Sequence, residues 1–77
     1  MLYKIGEFSK LVNVPVKTLR DYDEISLFKP QEIDLFSGYR YYSEKQINDL
    51  KVILSVKEVG FRLEEIKKIL ERLMVIA

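Results

Sequence analysis

The sequence predicts a mostly α-helical domain, a winged helix-turn-helix with a short β-hairpin wing and an additional helix pair. Three observations point there. Two short amphipathic segments, Ile5 to Val12 and Val16 to Glu24, are separated only by Asn13, Val14 and Pro15. An aromatic-rich stretch follows in which Ser37-Gly38 marks a reversal. Beyond it, apolar residues recur at helical intervals on both sides of Gly60.

In the first segment Ile5, Phe8, Leu11 and Val12 share a face, with Glu7 and Lys10 opposite. Asn13 tolerates positive φ and Pro15 suits a helix start, so Val12-Asn13-Val14-Pro15 reads as a tight turn between helices. In the second helix Val16, Leu19 and either Tyr22 or Asp23 point inward, leaving Lys17, Thr18, Arg20 and Asp21 outside. Two short helices so joined give the helix-turn-helix outline over about residues 5–24. Lys29-Pro30 stops any helix, and the β-favouring aromatics around Asp34, Ser37 and Gly38 make a hairpin, the wing, over about 28–42. Ser43-Glu44-Lys45-Gln46 matches an S-x-x-Q capping box, after which Ile47, Leu50, Ile53 and Leu54 form a stripe that ends at Gly60. A last helix carries Leu63, Ile66, Ile69, Leu70 and Leu73, with Glu64–Lys68 and Lys67–Glu71 pairs expected on its outer face. The helix pair covers about residues 43–75.

Composition narrows the function. The chain has 77 residues, 48% apolar and 32% charged, with a formal charge of +1, as expected of one small domain. It has no Cys and no His, which removes a zinc cage, a thiol nucleophile and an imidazole base and argues against an enzyme; neither cofactor nor metal is expected. Asp21, Asp23 and Glu24 form an acidic cluster that reads as a solvated helix end rather than a catalytic site. No apolar run approaches the roughly 20 residues of a membrane span, and the N-terminus lacks a signal-peptide layout, so the expected location is cytoplasmic. Basic and acidic side chains are balanced, seven of each in residues 1–46, so any case for DNA binding rests on local placement. A chain this short buries only about 60% of its unfolded surface, which leaves it modestly stable without a partner.

Ile5-Gly6-Glu7-Phe8-Ser9-Lys10-Leu11, Lys17-Thr18-Leu19-Arg20, Tyr22-Asp23-Glu24-Ile25, Gly38-Tyr39-Arg40-Tyr41-Tyr42 and Val59-Gly60-Phe61, in that order and spacing, resemble a MerR-family DNA-binding domain over nearly the whole chain. Leu27-Phe28-Lys29-Pro30 leans toward the multidrug-responsive branch. The resemblance implies a regulator that binds double-stranded DNA at its promoter as a homodimer and distorts the spacer so that RNA polymerase can use it. Family members continue into a coiled-coil helix and an effector-binding part, neither of which is in this sequence. The apolar ending Leu73-Met74-Val75-Ile76-Ala77 resembles surface that a dimer helix would hide. The expected reading is a truncated regulator, monomeric or weakly dimeric as it stands. The alternative is a stand-alone excisionase-like or protein-interaction module with weak DNA binding.

The resemblance implies DNA contacts from Lys17, Thr18 and Arg20 on the second helix, Tyr39 and Arg40 on the wing, and Lys57 near the end of the third helix. Arg20 has the chemistry to clamp phosphate or to take a guanine edge bidentately; its competing partner is Glu24 at i+4. Tyr41 and Tyr42 read as packing residues that anchor the hairpin on the third helix. Some positions depart from the family pattern. Asp21 stands where an aromatic residue often approaches a phosphate, and its charge should repel DNA unless it turns toward Lys17 at i−4. Lys4, Pro15 and Arg62 replace capping Ser or Thr residues, each cap worth about 1 kcal/mol. Ser26 replaces a Gly at a turn that favours the left-handed region.

Overall fold

The computed structural model describes residues 1–76, with side-chain environments through residue 72. The elements are β1 (Leu2–Lys4), α1 (Ile5–Val12), α2 (Val16–Glu24), β2 (Glu32–Ile33), β3 (Arg40–Ser43), α3 (Lys45–Val59) and α4 (Leu63–Ile76). The mostly helical fold class is as expected. An element absent from the sequence reading is β1, which turns the hairpin into a three-stranded antiparallel sheet in the order β1-β3-β2. Tyr3 lies opposite Tyr42 on one side of β3, and Ile33 lies opposite Arg40 on the other.

Helix starts follow one rule. The Lys4 N–H donates to Glu7 Oε1 at 3.1 Å, the Ser43 N–H to Gln46 Oε1 at 2.9 Å, and the Arg62 N–H to Glu65 Oε1 at 3.0 Å. A carboxylate or carboxamide three residues on thus satisfies the cap N–H, half of a capping box, even where no Ser or Thr precedes it. The other half, a Ser or Thr oxygen on the N3 N–H, is missing at Lys4 as its side chain requires. Pro15 has no N–H to satisfy, and α2 needs no such residue. The Ser43–Gln46 box is likewise closed only from the Gln46 side.

Helix ends use left-handed residues. Asn13 has φ 55°, Ser26 φ 58° and Gly60 φ 112°. At Ser26 the N–H bonds to the Asp23 carbonyl at 3.0 Å while the Leu27 N–H reaches the Tyr22 carbonyl at 2.9 Å, a Schellman arrangement that drives Leu27 and Phe28 into the core. Ser26 therefore holds the left-handed turn that a Gly would occupy without strain.

The core is Phe8, Val14, Leu19, Tyr22, Leu27, Phe28, Tyr42, Leu50, Ile53 and Ile66, drawn from every layer. Tyr42 stacks on Phe8 at 4.6 Å and on Phe28 at 5.8 Å between ring centroids. The wing is thus anchored on α1 and on the connection after α2, rather than mainly on α3 as the sequence suggested. Tyr41 is only half-buried. Leu11, at 53% exposure, and Ile69 leave the inward stripes assigned to them; with Phe8 and Val12 already facing the sheet, Leu11 falls on the flank of α1. The Glu64–Lys68 and Lys67–Glu71 pairs are not closed among the described residues. The apolar ending Leu73 to Ala77 lies outside the residues whose side chains are described.

Candidate nucleic-acid interface

The second helix of a helix-turn-helix needs an inner face that holds it and an outer face that is free. In α2 the inner residues are Leu19, Tyr22 and Asp23, all buried, so both candidates for the inward position are used. Asp23 is no solvated helix end. Its Oδ2 accepts from Arg40 Nε at 2.8 Å and its Oδ1 from Lys29 Nζ at 3.1 Å. Burial alone would push this carboxyl up, but the hydrogen bonds and charges of Arg40 and Lys29 outweigh it and hold Asp23 below its ordinary value. The carboxylate bolts three elements together: α2, the connection to β2, and the first residue of β3. Gln46 adds a fourth, its Nε2 donating to the Lys29 carbonyl at 2.6 Å.

On the outer face Lys17 and Asp21 form an i,i+4 pair at 3.5 Å, both exposed. Arg20 is exposed and closes no ion pair with Glu24 or any other carboxylate among the described residues. Its charge nevertheless reaches the hydroxyl of Tyr42, which burial, then Asp23, push up to about 12 while Arg40 and Arg20 pull it down. Thr18 is half-buried on the first turn of α2. Lys57 reaches across from α3, its Nζ donating to the Tyr22 hydroxyl at 3.5 Å, the outer limit of a hydrogen bond.

The wing's tip is a closed loop. The Asp34 N–H donates to the Tyr39 carbonyl at 2.9 Å, the Gly38 N–H returns to the Asp34 carbonyl at 2.8 Å, and Gly38 takes φ 74°. Inside the loop Asp34 Oδ1 accepts from the Phe36 N–H at 2.8 Å and the Ser37 N–H at 3.1 Å. These bonds, Ser37 first, hold the Asp34 carboxyl below its ordinary value. Tyr39 is exposed, and the Lys4 ammonium stands 5.3 Å from its ring centroid.

The six residues singled out in sequence therefore fall into two kinds. Lys17, Arg20, Tyr39 and Lys57 are exposed, with Arg20 the least engaged. Thr18 and Arg40 are half-buried, and Arg40 is committed through Nε to Asp23, which makes it a positioning residue whatever else it touches. Two participants escaped the sequence reading. Lys4 reaches the wing only because β1 pairs with β3, and Lys29 reaches α2 only because the chain turns at Ser26. The signal for Lys29 was present in its place just before Pro30, a short step from a buried acid.

A family model for the MerR HTH family regulatory protein matches residues 3–73. The chain belongs to the MerR family. It is 53% identical over 66 residues to the multidrug-efflux transporter 1 regulator of Bacillus subtilis (strain 168), a match covering 86% of this chain and 24% of that protein. Among solved structures, the N-terminal part of the Bacillus subtilis multidrug transporter activator Mta superposes with TM-score 0.80 at 40% identity, covering 88% of this chain and 63% of that one. HiNmlR, a MerR family regulator lacking the sensor domain and solved bound to promoter DNA, superposes with TM-score 0.84 at 25% identity over 97% of this chain and 59% of that one. The chain spans 24% and 23% of the lengths of the two multidrug-efflux regulators of Bacillus subtilis that it matches. MerR-family helix-turn-helix proteins are DNA-binding transcription regulators, and among the described residues no helix is long and apolar enough to cross a membrane.

Proposed function

We propose that this chain is the promoter-reading part of a MerR-type transcription regulator, docking the outer face of α2 in the major groove of double-stranded DNA with the wing on the adjoining backbone. One observation carries the reading. Arg20 stands exposed on α2 and, among the described residues, unpaired, while the wing is fastened to the inner face of the same helix by the 2.8 Å Arg40–Asp23 bond, so helix and wing present one fixed surface. Arg20 reads a base edge or clamps a phosphate, and Lys17, Thr18, Tyr39 and Lys57 contact the backbone. Arg40 fixes the wing's angle. In the complete regulator a homodimer built through a following helix sets two such surfaces on half-sites about one helical turn apart, where DNA distortion serves RNA polymerase in the cytoplasm. Lys17 stands 3.5 Å from Asp21 and sets a cation against its charge, which supports the outer face of α2 as the DNA-facing one.

The test is titration of labelled duplexes at several salt concentrations. Arg20→Ala should weaken binding by roughly 1–3 kcal/mol, and Lys57→Ala by less with a salt slope reduced by about one. Unaltered binding by both variants, folded as the parent, overturns the assignment of these residues.

A further inference from the structure

The wing carries a feature that neither packing nor phosphate contact explains. Leu35 is 95% and Phe36 102% exposed, side by side at the tip, with Ile33 and Tyr39 half-exposed behind them. Two large apolar side chains in full contact with water contribute nothing to the core, and their burial elsewhere is favourable. Nor are they on a loose loop. Asp34 Oδ1 accepts from the Phe36 and Ser37 amides at 2.8 and 3.1 Å, the Tyr39 N–H donates to Ser37 Oγ at 3.2 Å, and the Asp34–Tyr39 and Gly38–Asp34 backbone bonds close the ring. Asp34 Oδ1 is engaged by these amides while the carboxylate stays in solvent, so Leu35 and Phe36 form the apolar end of a tip that carries one carboxylate at its base. Behind the tip, Tyr42 in its aromatic stack and Arg40 on Asp23 make the hairpin a rigid lever.

We propose that Leu35 and Phe36 form an apolar wedge that the wing inserts into the minor groove beside the segment read by α2, unstacking a base step there. The proposal rests on the DNA-binding reading above. What selects DNA as the occupant is continuity with that surface: Tyr39 directly follows the tip, the Lys4 ammonium lies 5.3 Å from its ring, and Arg40 follows in turn. Lys4 and Tyr39 on one flank suit a sugar-phosphate rim, offsetting the exposed Glu32 and Asp34 on the strand before the tip, while an apolar pair at the end suits the space between bases. Proteins that kink DNA from the minor groove insert Phe and Leu side chains in this manner. The pre-ordered loop lowers the entropy lost on insertion.

Short duplexes recovered from a random pool by the full chain supply the probe, and one of them is then synthesised with 2-aminopurine at successive positions. The parent should raise the fluorescence at one step severalfold. The Leu35→Ser/Phe36→Ser double variant should lose that signal and bind roughly ten- to a hundredfold more weakly, as loss of a base-stacking side chain predicts, at an unchanged salt slope and thermal midpoint. Phe36→Leu should retain most of both. If Arg20→Ala weakens binding while the double variant binds and fluoresces as the parent does, the wedge is overturned and the tip serves a protein contact. Weaker binding by the double variant, with no 2-aminopurine signal from the parent at any position, also overturns it, because the tip then touches DNA without unstacking. If the parent shows no salt-dependent duplex binding at all, the DNA-binding reading fails and the wedge fails with it.

Discussion

The two faces of α2 put two aspartates two residues apart to opposite uses. Asp23, facing inward, accepts from Arg40 Nε at 2.8 Å and Lys29 Nζ at 3.1 Å. Asp21, facing outward, has one partner, Lys17, at 3.5 Å in solvent. An ion pair in a low-dielectric setting with good geometry joins elements and is hard to break, whereas an exposed i,i+4 pair is worth only a few tenths of a kcal/mol and yields readily to a competing ligand. The inner face of α2 is therefore structure and its outer face is available. The same division runs along the wing, from the buried Tyr42 at the base to the solvated Leu35 and Phe36 at the tip.

The comparison is broken most severely by truncating Leu19, which is fully buried. Leu19→Ala should cost about 2–5 kcal/mol in urea unfolding, enough to leave so small a domain partly unfolded, while Arg20→Ala, one residue on, should stay within about 0.5 kcal/mol of the parent. Equal losses would abolish the distinction between the faces.

Asp23→Asn should come next, at about 1–3 kcal/mol, because it leaves the half-buried Arg40 without its anion. Lys29, more exposed, regains water and limits the loss. The pH dependence has a definite sign. The folded-state pKa of Asp23 lies below its ordinary 3.8, so its contribution is present above 3.8 and is lost as pH falls through the lowered value. Acid titration of stability should be steeper for the parent than for Asp23→Asn. Equal slopes would mean that Asp23 is not held by its cations.

Tyr42→Phe probes the same buried region from the other side. The Tyr42 hydroxyl is buried and has no hydrogen-bond partner among the described residues, so its removal should be neutral or stabilising by up to about 1 kcal/mol. Because burial raises this phenol from 10.0 to about 12, the parent keeps the associated stability below 10 and loses it as pH climbs through about 12. The Phe variant should lack that alkaline loss, and melting curves across the range decide the point.

The smallest effect belongs to the outer face. Asp21→Asn should change stability by less than about 0.5 kcal/mol. It should tighten duplex binding by up to roughly fivefold at low salt by releasing Lys17, with the gain fading as salt rises. Asp21→Tyr should do no better. A clear advantage for Tyr would mean that an aromatic residue at this position makes its own phosphate contact, and weaker binding by both variants would mean that Asp21 itself touches DNA.

The sequence by itself determined the helices, the turn between the first two, the place of the wing and most of the core. These depend on local signals: apolar periodicity around Phe8 and Leu19, Pro15 after Asn13, Gln46 three residues after Ser43 ahead of α3, and the left-handed residues at 13, 38 and 60. Spacing also put Lys17, Thr18, Arg20 and Asp21 on the outer side of the second helix, while the choice of Arg20 among them came from the resemblance to the family. Tertiary structure decided what depends on residues distant in the chain. β1 has too few residues to show a period and exists because β3 offers it an edge, which in turn brings Lys4 to Tyr39. Whether Tyr22 or Asp23 faced inward could not be settled by periodicity, because a carboxylate can go inside only if cations meet it there, and Arg40 lies seventeen residues away. Leu11 and Ile69 are exposed because a helix face is finite and its neighbours had already filled it. The solvated tip at Leu35 and Phe36 belongs to the same class, since only the fold shows that nothing lies opposite them.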